Sequence, residues 1–167
     1  GKTLHHYINP ERDIAEGAFA VHGLSREFLS DKPVFGVIVD ELTEFIAGAE
    51  VIIHNAPFDL SFLKAAARLH GYSWPNFRVL DTAILARRAL DRDEAPNCKL
   101  ATLAAIFGAE VTPNHRALDD AKATVDVLHG LFERLAGFDV YTVEEALAFT
   151  APKKSRSTKQ PTSPEVQ

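Results

Sequence analysis

In the stretch "NHRALDDAKATVDVLHG", residues 114–130, two adjacent aspartates follow a turn and open a helix. On that helix Asp119 shares a face with Lys122 and Asp126. Asp120 shares the opposite one with Thr124, Val127, Leu128 and Leu131, at the spacings that stack side chains together. A carboxylate set against apolar surface is costly unless something compensates it. A second such carboxylate stands in "HNAPFD", residues 54–59, where Asp59 shares its helix face with Phe62, Leu63 and Ala66. His115 precedes Asp120 by five residues, which puts it in the loop while Asp120 sits in the first turn, so both can converge on one point. Taken singly, Asp59 reads equally well as an acid favoured by the helix dipole, and His115 as a structural histidine. Together, two inward carboxylates on different helices and a loop histidine suit a hard divalent cation, Mg²⁺ or Mn²⁺. Two such ions can clamp the attacking and leaving oxygens of a phosphodiester displacement while a histidine takes the proton of the nucleophilic water. On this reading a metal ion neutralises Asp120. The histidine of "AVHGL", His22, stands before a glycine in a loop and is a weak signal alone.

These residues need elements to hold them. The chain reads as alternating strands and helices. "TLHHYIN" (3–9) is a strand ended by Pro10, and residues 18–33 form a loop with a short helical piece. Residues 34–48 form an amphipathic helix with Gly48 at its C-terminal end. "AEVIIHNA" (49–56) is a short apolar strand, and 57–71 is a helix opened by Pro57 and closed by Gly71. Helices follow at about 80–90, 99–107, 116–136 and 142–149. "HNAPFD" then lies at the carboxyl end of a buried strand, where α/β folds place their sites.

At 167 residues, 46% apolar and 25% charged, the chain is one ordinary globular domain. No apolar run is long enough to span a membrane. Cys98 is the single cysteine and cannot form an internal disulfide, which fits a reducing, cytoplasmic setting. The domain is expected over 1–151, followed by a solvated basic tail or linker over 152–167, "PKKSRSTKQPTSPEVQ". Without the tail, fourteen Lys and Arg face twenty-two Asp and Glu, a net charge of −8. Proteins that grip nucleic acid by phosphate neutralisation are usually basic. A nucleic-acid function here therefore runs through metal ions and a small pocket, or with a partner holding the strand.

The strand supply is short. Val51, Ile52 and Ile53 have the pattern of a strand buried on both faces, which needs a neighbour on each edge. Only residues 3–9 and the short "FRVLD" at 77–81 are on offer. The chain also has no methionine and begins at Gly1. The expectation is that an N-terminal segment of the native protein precedes it.

"AVHGLSREFLSDKPVF", "EVIIHNAPFDLSFL" and "NHRALDDAKAT" resemble, in order and spacing, the blocks of the DEDDh (DnaQ-like) 3′–5′ exonucleases. These have the ribonuclease H-like fold and include the proofreading epsilon subunit of bacterial DNA polymerase III. The resemblance covers roughly residues 3–136. It implies an α/β fold with a mixed sheet flanked by helices, two metal ions (Mg²⁺ or Mn²⁺), Asp59 and Asp120 as metal ligands, and His115 as general base. His22, Asn55 and Phe58 match positions that hold the terminal nucleotide, Phe58 through its ring. Asp81 matches a recurring acidic position near the site and reads equally as a helix cap.

One family element is absent. No Asp-x-Glu precedes residue 10, whereas the family carries that pair on its first, central strand. The strand deficit points the same way, so the fold is expected to lack its first strands, and the chain by itself to show no exonuclease activity. The function expected of the complete protein is a proofreading or repair 3′–5′ exonuclease acting on a single-stranded 3′ end, DNA in preference to RNA, with a DNA polymerase subunit as partner. Alternatives are an RNA- or oligonucleotide-degrading member of the same family, and a catalytically silent binding subunit.

Overall fold

Local signals set most of the helices. Pro57 sits in the first turn of α4 (Ala56–Leu69), Asp81 caps α5 (Thr82–Ala89), and Gly108 in the left-handed conformation ends α6 (Leu100–Phe107). Thr142 and Glu145 form a reciprocal capping box on α8 (Val143–Thr150). The remaining elements are α1 (Glu16–His22), α2 (Arg26–Leu29), α3 (Phe35–Ile46), β1 (Val51–Ile53), β2 (Val79–Asp81) and the long α7 (Ala117–Leu135), which runs into a turn of 3₁₀ helix. This computed structural model describes residues 1–152. The expected tail therefore falls almost wholly outside the described residues.

β1 and β2 pair in parallel, with Val51 opposite Val79, Ile52 opposite Leu80 and Ile53 opposite Asp81. Both strands thus end on the same side, and α4 and α5 start there. The main core lies where α5, α6, α7 and α8 close on β2, around Leu80, Leu85, Leu103, Val127, Leu131 and Leu135. A smaller cluster of Phe35, Ile38, Val39 and Ala67 joins α3 to α4. α7 and α6 approach so closely that a Cβ on Gly130 would stand 2.3 Å from the Phe107 ring. No described helix is long and apolar enough to cross a membrane.

Two expectations about strands differ from the structure. Residues 3–9 form no strand; only Asn9 makes a bridge, parallel to Val34, with its N–H donated to the Pro33 carbonyl at 2.9 Å. A strand exists only through its partner, and no described strand pairs with residues 3–8. Val51, Ile52 and Ile53 are half-buried rather than fully buried, because β2 covers one edge of β1 and no described strand covers the other. The short helices at 16–22 and 26–29 replace the expected loop with one helical piece.

Candidate active site

The site is organised around the carboxyl end of β2. Asp81 is buried, and its carboxylate accepts four backbone amides from two helix starts. Asn55 and Ala56 donate at 3.0 and 2.9 Å from the head of α4, and Ala83 and Ile84 at 2.8 and 3.4 Å from the head of α5. Early amides of a helix lack internal partners and carry partial positive charge, so a buried anion there is stabilised. Of the two readings open for Asp81, the cap is what its contacts describe, and the cap reaches two helices rather than one.

Asn55 takes the left-handed conformation, φ 64°, to turn the chain from β1 into α4. The turn puts Phe58 and Asp59 in the first turn of α4. Phe58 is 60% exposed, its ring edge-on to Phe62 at 5.0 Å between centroids. Asp59 is exposed as a residue, yet partial burial of its carboxyl raises its pKa above the ordinary aspartate range, and the charges of Asp81 and Asp120 add to the rise.

The loop before α7 is tied by Asn114. Its backbone N–H donates to the Asp120 carboxylate at 3.1 Å, its side-chain amide donates to Asp119 at 2.8 Å, and its own oxygen accepts the Arg116 N–H at 3.0 Å. This knot holds His115 at φ 64°, a left-handed conformation that a non-glycine residue adopts only under constraint. Asp119 therefore does not stand idle on an outward face, as its wheel position predicts. It is half-buried, because the loop folds back over the start of the helix and brings Asn114 to it.

Asn55, Phe58, Asp59, His115 and Asp120 line one open cleft of about 1540 Å³. His22 does not line it. Its Nδ1 accepts the Leu24 N–H at 3.0 Å, and the neighbouring Gly23 has the Arg116 guanidinium 3.7 Å from where a Cβ would be, so the 22–24 turn borders the His115 loop. Two contributors escaped sequence reasoning. Asn114 is one; its position before a helix with Asp119 downstream is the available signal. His54 is the other. Half-buried at the end of β1, it contacts the Thr82 hydroxyl through Nδ1 at 3.0 Å. Burial pushes its pKa below the usual histidine value, with Arg87 adding to the fall and Asp81, Cys98 and Asp120 opposing it.

Among the described residues no cluster of three or more His, Cys, Asp or Glu is arranged to hold a metal ion. Asp59 and Asp120 face a common cleft, and burial, with a smaller contribution from repulsion by Asp81 and Asp120, disfavours ionised Asp59. A divalent cation would relieve that repulsion, so the donors present fit such an ion as a partial ligand set.

A family model described as Exonuclease matches residues 1–128. A bifunctional exonuclease/endonuclease protein of Mycobacterium tuberculosis is 42% identical over 142 residues, 85% of this chain and 22% of that protein. The DNA polymerase III subunit epsilon of Rickettsia felis is 56% identical over 95 residues, 52% of this chain and 40% of that subunit. Exonuclease X, solved in complex with 5′-overhanging duplex DNA, superposes with a TM-score of 0.60 at 22% identity, covering 86% of this chain and 78% of the other. That likeness supports the ribonuclease H-like α/β class at the level of fold. The chain spans less than half the length of these two curated relatives. With more than half of its residues matched by the family model, the chain belongs to the exonuclease family.

Proposed function

We propose that this domain hydrolyses phosphodiester bonds from the 3′ end of a single DNA strand, releasing nucleoside monophosphates, with two Mg²⁺ or Mn²⁺ ions. The observation that carries the reading is the convergence of Asp59, His115 and Asp120 on one cleft at the carboxyl ends of the strands. Asp59 and Asp120 would hold metal, and the family generally uses divalent ions. No Asp-x-Glu occurs anywhere in residues 1–167, so these two carboxylates are a partial ligand set for two ions. Bound there, divalent ions polarise the scissile phosphodiester and stabilise the leaving oxygen. His115 is exposed and lines the same cleft as the carboxylates, where it would take the proton of the attacking water. The exposed Phe58 ring offers a face for the terminal base, and the left-handed turn at Asn55 presents that residue to the same nucleotide. His22, at the border of the His115 loop, is assigned to the edge of the nucleotide pocket. Asp81 supports the reading as a positioning group.

DNA is preferred over RNA as the substrate because relatives named as DNA polymerase III subunit epsilon and DNA polymerase III PolC-type are similar to this chain. The same names favour a polymerase as partner. The test is digestion of a 5′-labelled single-stranded oligonucleotide by the native protein that carries this domain. The expected product is a ladder shortening one nucleotide at a time from the 3′ end, abolished by excess chelator. Internal cuts, or full digestion in chelator, would overturn the proposal.

A further inference from the structure

The cleft that holds Asp59, His115 and Asp120 has a second wall of opposite charge. Arg87 near the end of α5, with Arg92 and Lys99 in the connection to α6, lines it. All three are exposed, and none makes an ion pair among the described residues, whereas Arg26, Lys32, Arg78 and Arg134 each have a carboxylate. One acid stands on the same wall, Asp91, and its carboxylate is engaged by the Asp93 and Glu94 amides at 2.9 Å each. In a chain of net charge −5, three cations without partners in one cleft await an anion. Arg87 also lies near His54 at the end of β1, one residue before the Asn55 turn: its charge adds to the lowering of the His54 pKa that burial chiefly causes.

We propose that Arg87, Arg92 and Lys99 form a track for the sugar-phosphate backbone of a single DNA strand, binding the phosphates upstream of the 3′-terminal nucleotide. The inference rests on the exonuclease reading, which places that nucleotide at Asp59 and Asp120. An acidic centre repels the strand it must cut, and the cationic wall offsets that repulsion over the next few phosphates. Contacts to phosphate carry no base information, so the track accepts any sequence.

The test uses the full chain and a fluorescent twelve-nucleotide oligothymidylate, with binding followed by anisotropy over a salt series in excess chelator. Hydrolysis is read separately, on the native protein that carries this domain, so its absence there alongside wall-dependent binding by this chain would contradict the exonuclease proposal alone. Each phosphate contact on a single strand contributes a slope of about −0.7 in log K against log salt. The triple variant Arg87→Gln/Arg92→Gln/Lys99→Gln is expected to bind about tenfold or more weaker and to lose about two units of slope. A control triple, Lys64→Gln/Arg68→Gln/Lys122→Gln, removes exposed cations that do not line the cleft and is expected to keep both. Circular dichroism checks that each variant is folded. Unchanged affinity and slope in the cleft triple, equal losses in the control triple, or no binding by the parent chain at low salt would overturn the proposal.

Discussion

The Asp81 carboxylate accepts the Asn55 amide at 3.0 Å across the end of the sheet, so a residue of β2 fixes the turn that aims Phe58 and Asp59. Removing it strands four amides at two helix starts. Asp81→Ala is expected to cost about 1–3 kcal/mol, the range for leaving a buried donor unsatisfied. Urea unfolding measures it. A loss under about 0.5 kcal/mol, the usual scatter of a surface change, would mean the two helix starts hold without the cap.

The knot at Asn114 predicts a graded effect on its two aspartates. Asp120→Ala removes a proposed metal ligand as well as a bond to the loop and is expected to abolish turnover. Asp119→Ala removes only the Asn114 side-chain bond and is expected to reduce turnover partially by loosening the His115 loop. Steady-state rates on a single-stranded oligonucleotide distinguish them. Equal damage would show that the two carboxylates are not divided in role.

His54 predicts acid lability. Its folded pKa lies below the ordinary 6.5, chiefly through burial, so the unfolded chain binds more protons in the window below that value. Stability is then fully present above pH 6.5 and falls as pH drops toward the folded pKa. Thermal melts between pH 7.5 and pH 5 are expected to show a smaller loss for His54→Gln than for the parent chain. Parallel pH dependences would contradict the assignment.

Gly130 sits where α7 meets α6, with Phe107 occupying the space of a Cβ. The ring atoms closest to it are near the root of the side chain, which cannot swing away freely. Gly130→Ala is expected to destabilise the chain by about 1–3 kcal/mol, as overpacking does, despite the better helix propensity of alanine. A stabilised variant would mean the two helices part easily.

The helices were legible in the sequence because their signals are local. Pro57, Gly108 and the Thr142–Glu145 pair announce their ends within a few residues. Strand 3–9 was not, because alternation of residue types cannot tell whether a partner strand lies alongside. Of the residues that line the cleft, Asp59, His115 and Asp120 were legible because strand ends and helix starts fix their places along the chain, and Asn55 and Phe58 only through the family resemblance. The bond from Asn114 to Asp119 was not legible, because a helical wheel carries no information about the loop that folds onto the helix. The double cap of Asp81 and the anchor at His54 depend on the parallel register of β1 and β2, which no local pattern encodes.

The proposed cleft chemistry divides its labour, with Asp59 and Asp120 to hold metal and His115 to move the proton. It is tested most directly by measuring Mn²⁺ affinity and single-turnover cleavage together, on the native protein carrying this domain. His115→Ala is expected to keep its Mn²⁺ affinity while cleavage slows about 10²–10⁴-fold, the usual worth of a general base. Asp120→Ala is expected to lose both. Unslowed cleavage in His115→Ala, or parent Mn²⁺ affinity in Asp120→Ala, would contradict the account.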